Sequence, residues 1–399
     1  LFAFQFPYFQ FLILNLIKSF GLISNQIETF EIEKKRDDLN ILLIQSFPVL
    51  KMIEDKTTRK LKPFFKKAAS ILSEGLINKK RIAINYHDDV DGIMSGLILW
   101  KGLKRFCSEK KLPFNINFIQ ARNVVYRMED ALEDSNNELI VLADMGSGED
   151  SYNAVKSLVD KGVKVLVIDH HPLKKLEKVF YVNPFLFSNS NFNSNYCAGF
   201  LCFEVVKLMG ANDDLKLFAE IALEGDYSYF KNEKFSKEAD VVYFLRSTIQ
   251  PSFGNLEKTL KSKEKVEELS AEAREKLEKA YHKLSFEVKQ NNIQVVIAKF
   301  NLKSYPTRAV LANYVKDVYP TRKPTVFLSW TDNSITFRVN QKALDKGFKA
   351  FDVIDKIKEE FKNPTITGGG HAAAAGLMFP VGFANILLKR AVEICLEFK

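Results

Sequence analysis

Short apolar runs alternate with stretches of helical period along the first half of the chain. Arg81–Tyr86 (RIAINY), Asn115–Ile119, Glu138–Ala143 (ELIVLA) and Lys164–Ile168 (KVLVI) show no 3.6-residue period and read as buried strands. Gly92–Lys110 carries helical spacing through Ile93, Leu97, Ile98 and Leu103, and Tyr152–Lys161 reads as a second helix. This alternation predicts a parallel sheet with crossover helices. Upstream, Leu61–Leu76 is amphipathic, with Lys60, Lys62, Lys66 and Lys67 on its polar side. Downstream, Ala198–Met209 and Asp214–Glu224 predict two more helices.

Glu257–Lys289 is highly charged, with Leu260, Leu269, Leu277 and Leu284 threaded through it. It reads as a helical connector whose charges form a solvated face. A second pattern begins after Asn291. Strand Gln294–Phe300 precedes helix Thr307–Val318, and strands Thr325–Trp330 and Ser334–Val339 flank an Asp332-Asn333 turn. Helix Phe351–Phe361, a glycine loop and a last helix complete it. The expected organisation is an N-terminal extension over 1–59, an α/β domain over 60–256, a connector over 257–290 and a smaller α/β domain over 291–399.

With 399 residues and 46% apolar side chains, the chain can build proper cores, which excludes global disorder. Cys107, Cys197, Cys202 and Cys395 form no CxxC pair. A disulfide scaffold or zinc ribbon is therefore not expected, and a reducing cytoplasm suits the chain. Leu1–Ile17 is uncharged and rich in Phe, but Gln5, Pro7, Gln10 and Asn15 interrupt it. It falls short of the roughly 20 apolar residues a membrane span needs, so no membrane partner is expected. An extended or misassigned start is the plainer reading.

The net charge of +9 is unevenly divided: +5 over residues 1–80, −3 over 81–290 and +7 over 291–399. The positive ends suit a polyanion. The locally acidic middle raises the question of what its carboxylates do. The first strand runs into His87-Asp88-Asp89-Val90-Asp91-Gly92, the third into Asp144-Met145-Gly146, and the fourth into Asp169-His170-His171. Ligands of an open parallel sheet bind beyond the carboxyl ends of its strands, so three clusters converge on one rim. Asp226 follows a predicted helix and could reach the same rim. Any one of these Asp residues could simply cap the next helix. Three of the five histidines in the same loops make chance placement a poor explanation. Clustered carboxylates repel one another, and a pair of divalent cations would hold them together. Mixed carboxylate and imidazole donors suit manganese or magnesium.

His87-Asp88-Asp89-Val90-Asp91-Gly92 resembles the HxDxDG motif of the DHH phosphoesterase superfamily. Asp144 resembles its second motif, Asp169-His170-His171 its third, and Asp226 its fourth. Gly368-Gly369-Gly370-His371-Ala372-Ala373-Ala374-Ala375-Gly376 resembles the GGGHxxAAG motif of the DHH-associated domain. The order is most similar to archaeal RecJ-like nucleases, over about residues 60–399. The resemblance implies an α/β fold: a parallel-sheet DHH domain and a smaller α/β DHH-associated domain joined by a helical connector. It implies two divalent metal ions, Mn(II) ahead of Mg(II), held by His87, Asp89, Asp91, Asp144, His170 and Asp226, with Asp144 as the bridge. Asp169 would orient the histidine pair, and His171 would contact the scissile phosphate or assist proton transfer. Asp88 falls at the variable position of the motif. Gly368, Gly369, Gly370, His371 and Arg338 would bind substrate, and Lys303 and Arg308 would extend the basic path. Read without the family, the glycine run is a turn before an Ala-rich helix and Arg338 lies on an edge strand.

The implied activity is a cytoplasmic, metal-dependent exonuclease acting on single-stranded DNA or RNA in repair, with a replisome subunit or helicase as a possible partner. Two other readings remain open at this point. One is a phosphodiesterase for very short oligonucleotides or cyclic dinucleotides. The other is a replication or repair scaffold without cleavage.

Overall fold

The computed structural model describes residues 55–398, apart from 188–195, 212, 229–230, 232, 247–251, 303 and 364. The Leu1–Ile17 run and Lys303 lie outside the described residues.

The first lobe opens with α1 (Lys56–Ile77), capped by the Asp55 carboxylate on the Thr58 amide. Five strands follow: β1 (Ile82–His87), β2 (Ile116–Ala121), β3 (Leu139–Ala143), β4 (Lys164–Ile168) and β5 (Val179–Val182). They form an all-parallel sheet in the order β2-β1-β3-β4-β5. Their crossovers include α2 (Val90–Glu109), α3 (Met128–Asp134) and α4 (Tyr152–Asp160). The apolar runs of β3 and β4, and of β1 apart from Asn85, whose side-chain amide donates to Asp134 Oδ2 at 2.7 Å, follow from burial on both faces. On one face, Ala83, Ile140, Leu142, Val165 and Val167 pack with Tyr126, Val155 and Leu158. On the other, α2 packs against α5 (Ala198–Lys207) and α6 (Lys216–Gly225). The crossings are glycine-close: a Cβ on Gly225 would sit 2.3 Å from Val90 Cγ1, and one on Gly102 2.7 Å from Val206 Cβ. Helices α7 (Ser236–Leu245), α8 (Phe253–Leu260) and α9 (Lys263–Tyr281) then lead out of the lobe.

The second lobe is a six-stranded mixed sheet. Its strands are β6 (Phe286–Gln290), β7 (Gln294–Lys299), β8 (Thr325–Thr331), β9 (Ser334–Val339), β10 (Thr367–Gly370) and β11 (Ala374–Met378), ordered β10-β11-β9-β8-β7-β6. Among the described strands of this sheet, only the β7–β8 pair is parallel. Its helices are α10 (Arg308–Val318), α11 (Gln341–Asp345), α12 (Ala350–Phe361) and α13 (Ala384–Glu397). Helices α12 and α13 cover Val295, Leu328, Phe337 and Leu377 on one face. Helix α10 covers Val296 and Phe327 on the other, with Leu277 of α9 beside it.

Several expectations are corrected. The connector is not wholly helical: residues 286–290 form edge strand β6. Four of its five residues, Glu287–Gln290, are exposed, so its charges suit an exposed strand as well as a helix. The glycine loop is β10, antiparallel to β11, so neither a free loop nor an Ala-rich helix follows Thr367. Arg338 is not on an edge: β9 lies between β8 and β11, with Arg338 opposite Phe327 and Ala374. No helix among the described residues is long and apolar enough to cross a membrane.

Candidate metal centre

Strands β1, β3 and β4 are neighbours, and the strand order reverses between β1 and β3. The switch in direction opens a crevice at their carboxyl ends. His87 is the last residue of β1, and Asp89 caps α2 by accepting from the Gly92 amide at 3.0 Å. A Cβ on Gly92 would meet the His87 carbonyl oxygen at 2.3 Å, so the HxDxDG turn needs glycine there. Asp144 leaves β3 with φ +60°, a left-handed conformation that is strained for a non-glycine residue. Its amide is tied to Ile168 O at 3.0 Å, and the bend turns its carboxylate between the histidines.

Asp144 Oδ2 lies 3.3 Å from His87 Nδ1, and its Oδ1 lies 3.3 Å from His170 Nε2 and 3.7 Å from His171 Nδ1. His87 Nδ1 is also 3.1 Å from Asp89 Oδ2. His170 Nε2 is 3.5 Å from Asp91 Oδ2, and its Nδ1 is 3.7 Å from Asp226 Oδ2. Donor atoms close enough to share an ion gather in three sets: His87, Asp89 and Asp144; Asp144, Asp169, His170 and His171; and His170, His171 and His371. Asp91 and Asp226 stand beside these sets through His170. Both Asp91 oxygens accept amides at the start of α5, from Ala198 at 2.6 Å and Gly199 at 2.7 Å.

The fit to a cation rests on orphaned atoms. Asp144 Oδ1, both ring nitrogens of His170 and His371 Nε2 are buried without a hydrogen-bond partner. Leaving such groups unsatisfied costs about 1–3 kcal/mol each. Divalent ions would satisfy the lone-pair atoms among them, Asp144 Oδ1 and one ring nitrogen each of His170 and His371, so the residues present fit the metal that the motifs imply.

Electrostatics separates the carboxylates into two kinds. Burial, then the neighbouring Asp charges, raises the Asp91 and Asp226 pKa values well above the ordinary carboxylate range. Burial and the Asp89 charge raise Asp144 as well. Asp169 and Asp89 go the other way. Burial opposes ionisation of Asp169, but the His171 charge and hydrogen bond outweigh it and hold the carboxyl below its usual value. Asp169 Oδ1 accepts from His170 N at 2.7 Å, His171 N at 3.2 Å and His171 Nδ1 at 2.8 Å, while Oδ2 accepts from Ser147 N at 3.1 Å. In return, although burial works against its charged form, the Asp169 charge pushes His171 up to about 10. Burial, then the His171 charge, pushes His170 down to about 3 and keeps it neutral.

The second lobe reaches this rim through the β10–β11 hairpin. The His371 ring stacks on His171 at 5.3 Å and lies 5.5 Å from His170. Gly370, at φ +140°, has no room for a side chain: a Cβ would lie 2.5 Å from Ala374 O. A Cβ on Gly368 would lie 2.3 Å from Gly376 O, whereas Gly369 faces open space. Arg338 is not among the carboxylates. Its guanidinium is held by Asn313 Oδ1 and by Phe337 O at 2.8 Å, facing Tyr227 and Tyr243. Arg308 lies near Arg246, which pairs with Asp88 at 2.7 Å. His282 is exposed and apart from the site, as expected.

The sequence reading missed the supports. Ser147 and Asn183 brace the histidine loop, with Asn183 Nδ2 donating to Ser147 Oγ and to His171 O, each at 3.0 Å. Asn183 directly follows β5, a four-residue strand too short to be read from its pattern. The α5 amides that bind Asp91 left no signal in side-chain chemistry.

The parallel sheet with carboxylates and imidazoles gathered at its switch point defines an α/β protein with a candidate metal centre. Residues 81–225, within the first lobe, match the model of the DHH family, N-terminal domain. An uncharacterized protein of Methanocaldococcus jannaschii, MJ1198, is 21% identical over 87% of this chain and 56% of its own length. YorK of Bacillus subtilis, provisionally named a prophage-derived single-strand DNA-specific exonuclease, is 26% identical over 43% of this chain and 31% of its own. The chain thus spans about half or less of these relatives' lengths. The DHH domain of a member of the s1p family of ribosomal proteins shares the fold with a TM-score of 0.75, 21% identity, and coverage of 92% of this chain and 98% of that one. RecJ from Thermus thermophilus in complex with Mn2+ has a TM-score of 0.57 and 15% identity, covering 88% of this chain and 56% of that one.

Proposed function

We propose that this protein is a metal-dependent phosphodiesterase that hydrolyses single-stranded nucleic acid from an end, in the manner of RecJ-like exonucleases. The observation that carries the reading is the meeting of Asp144 with His87, His170 and His171 around buried, unpartnered donor atoms. His87, Asp89, Asp91, Asp144, His170 and Asp226 would hold two divalent cations, Mn(II) ahead of Mg(II). Such cations lower the pKa of a bound water and stabilise charge on phosphoryl oxygens.

The chain's own groups do the rest. Asp169, with its accepting capacity spent on the His170-His171 loop, orients that loop rather than binding substrate. His171 keeps a proton on Nδ1 against Asp169 and presents Nε2 to the scissile phosphate. The outward-facing amides of edge strand β10 (Gly368–Gly370) and the His371 ring would hold the terminal nucleotide. Arg338, with Lys303 and Arg308, would attract the phosphate backbone of the strand. Single-stranded DNA or RNA is the expected partner. The proposed domain organisation is two lobes, 60–256 and 291–399, with 257–290 between them, of which residues 286–290 add edge strand β6 to the second lobe.

End-labelled single-stranded DNA and RNA, digested with Mn(II), with Mg(II) or in EDTA, tests the reading. Metal-dependent shortening is expected, with losses of at least about 100-fold in Asp144→Ala and Asp169→Ala. Undiminished cleavage in both variants would overturn the assignment. A series from two to about twenty nucleotides separates an exonuclease from an enzyme for very short oligonucleotides.

A further inference from the structure

Beside the metal centre stands an aromatic side chain that its backbone position does not favour. Tyr227 follows Asp226 at the end of α6, with φ +54°. Its amide donates to Glu224 O at 3.1 Å and the Ser228 amide donates to Leu223 O at 3.0 Å, the hydrogen-bond pattern of a left-handed helix stop. Glycine is the ordinary occupant of that position, because any Cβ is crowded there. Burial does not explain the tyrosine either, since 47% of its surface is open to solvent.

The surroundings supply a reason. Tyr227 lies where the two lobes face each other. Lys231 of the first lobe and Lys316 of the second place their ammonium groups 5.6 and 5.2 Å from its ring centroid. Its hydroxyl lies within electrostatic reach of Asn313 and Arg338, and Asn313 also accepts from the Arg338 guanidinium. Beneath it, the Tyr243 hydroxyl donates to Gly225 O at 3.4 Å and faces the Asp89 and Asp226 charges. An exposed ring thus adjoins a candidate metal ligand, with one fixed guanidinium and two ammonium groups around it, Lys316 also 3.0 Å from Asp317 Oδ1 and Lys231 3.8 Å from Glu224 Oε1 and Glu233 Oε1. A flat π-face for a base, with positive charge for the phosphates on either side, is how single strands are gripped without sequence preference.

Resting on the phosphodiesterase reading above, we propose that Tyr227 is the stacking platform for a nucleobase next to the scissile phosphate. Arg338, positioned by Asn313, and the ammonium groups of Lys231 and Lys316 hold the adjoining phosphates. Tyr227 is a substrate-binding residue. It sets the register of the strand against the metal centre and accepts any base.

The test uses the full chain with Mn(II) and a labelled thymidine 12-mer, intact or with one abasic residue at each of the four terminal positions. Stacking of one base corresponds to about 5- to 150-fold in affinity. Wild type is expected to lose activity in that range, mainly through KM, at one abasic position. Tyr227→Ala is expected to lose as much on the intact strand and to be indifferent to the abasic residue. Tyr227→Phe and Tyr227→Trp are expected to restore both the KM and the abasic sensitivity. A merely structural tyrosine would slow every substrate alike. A second arm reads binding in EDTA: quenching of a 2-aminopurine base by wild type, absent in Tyr227→Ala. A wild type indifferent to all four abasic positions, or equal quenching by wild type and Tyr227→Ala, overturns the stacking role. Quenching without any cleavage would instead overturn the phosphodiesterase reading and leave the platform standing.

Discussion

Replacing Asp169 by Asn separates a carboxylate that anchors from one that binds metal. Asp169 has no exposed surface and accepts four hydrogen bonds, three of them on Oδ1. Asn keeps the shape but turns one acceptor into a donor. With its oxygen toward the histidines, three bonds survive and the new NH2 meets the Ser147 N–H head to head. The opposite orientation loses three bonds, so the first prevails. One lost buried acceptor costs about 1–3 kcal/mol. The His171 imidazolium also loses its buried counter-ion, and breaking such a pair costs about 3–5 kcal/mol. The two terms overlap, giving a net loss of about 3–5 kcal/mol without any metal present. Asp144→Asn should change metal-free stability with the opposite sign, because its carboxylate is repelled by Asp89 and penalised by burial.

The pH dependence separates them further. The Asp169 pKa is depressed, so its stabilisation is present above the unfolded value of about 4 and is lost only as pH falls through the lower folded value. The Asp144 pKa is raised, so stability is lost as pH rises from about 4 through its folded value. Urea unfolding in EDTA at pH 5, 6.5 and 8 reads both. Asp169→Asn should lie about 3–5 kcal/mol below wild type at pH 5, and less far below at pH 8, because the raised His171 pKa makes the ion-pair part fade as pH rises above about 6.5. The relative gain of Asp144→Asn should grow toward pH 8. If Asp169→Asn falls within about 1 kcal/mol of wild type at pH 5, below the cost of even one buried acceptor, the anchoring role is refuted.

Other outcomes follow from the same geometry. Gly225→Ala drives a Cβ to 2.3 Å from Val90 Cγ1 where α2 crosses α6, and should lower stability by about 1–3 kcal/mol in thermal melts. Gly370→Ala, at φ +140° and 2.5 Å from Ala374 O, should shift His371 off His171 and raise KM for single strands more than it lowers kcat. Added Mn(II) should raise the wild-type melting temperature and leave that of Asp144→Ala nearly unchanged. Fluorescence anisotropy with single-stranded DNA in EDTA should show weak binding that falls steeply with salt, since the +7 over residues 291–399 requires no metal.

Strands β1, β3 and β4 were legible because burial on both faces leaves runs that are apolar apart from Asn85 in β1, and because each leads into Asp or His. Their convergence followed from parallel topology alone. What the sequence hid was specified by partners far away in the chain. Gly368–Gly370 has no side chains to show a two-residue period, and it becomes a strand only because Gly376 and Ala375 lie against it. Arg338 seemed peripheral because pairing of β9 with β11 spans a long stretch of sequence. Asn183 and the α5 amides support the site through contacts that no local pattern announces. Tyr227 went unnoticed because its signal is a backbone conformation, φ +54°, joined to exposure.

The central claim is that these carboxylates and imidazoles hold a pair of divalent cations. Native mass spectrometry of the EDTA-stripped chain, titrated with Mn(II), counts them directly. The account predicts two ions per wild-type chain and fewer in Asp144→Ala, with Arg338→Ala still binding two. A wild-type chain that takes up no Mn(II), or an Asp144→Ala chain that still binds two ions, would contradict it.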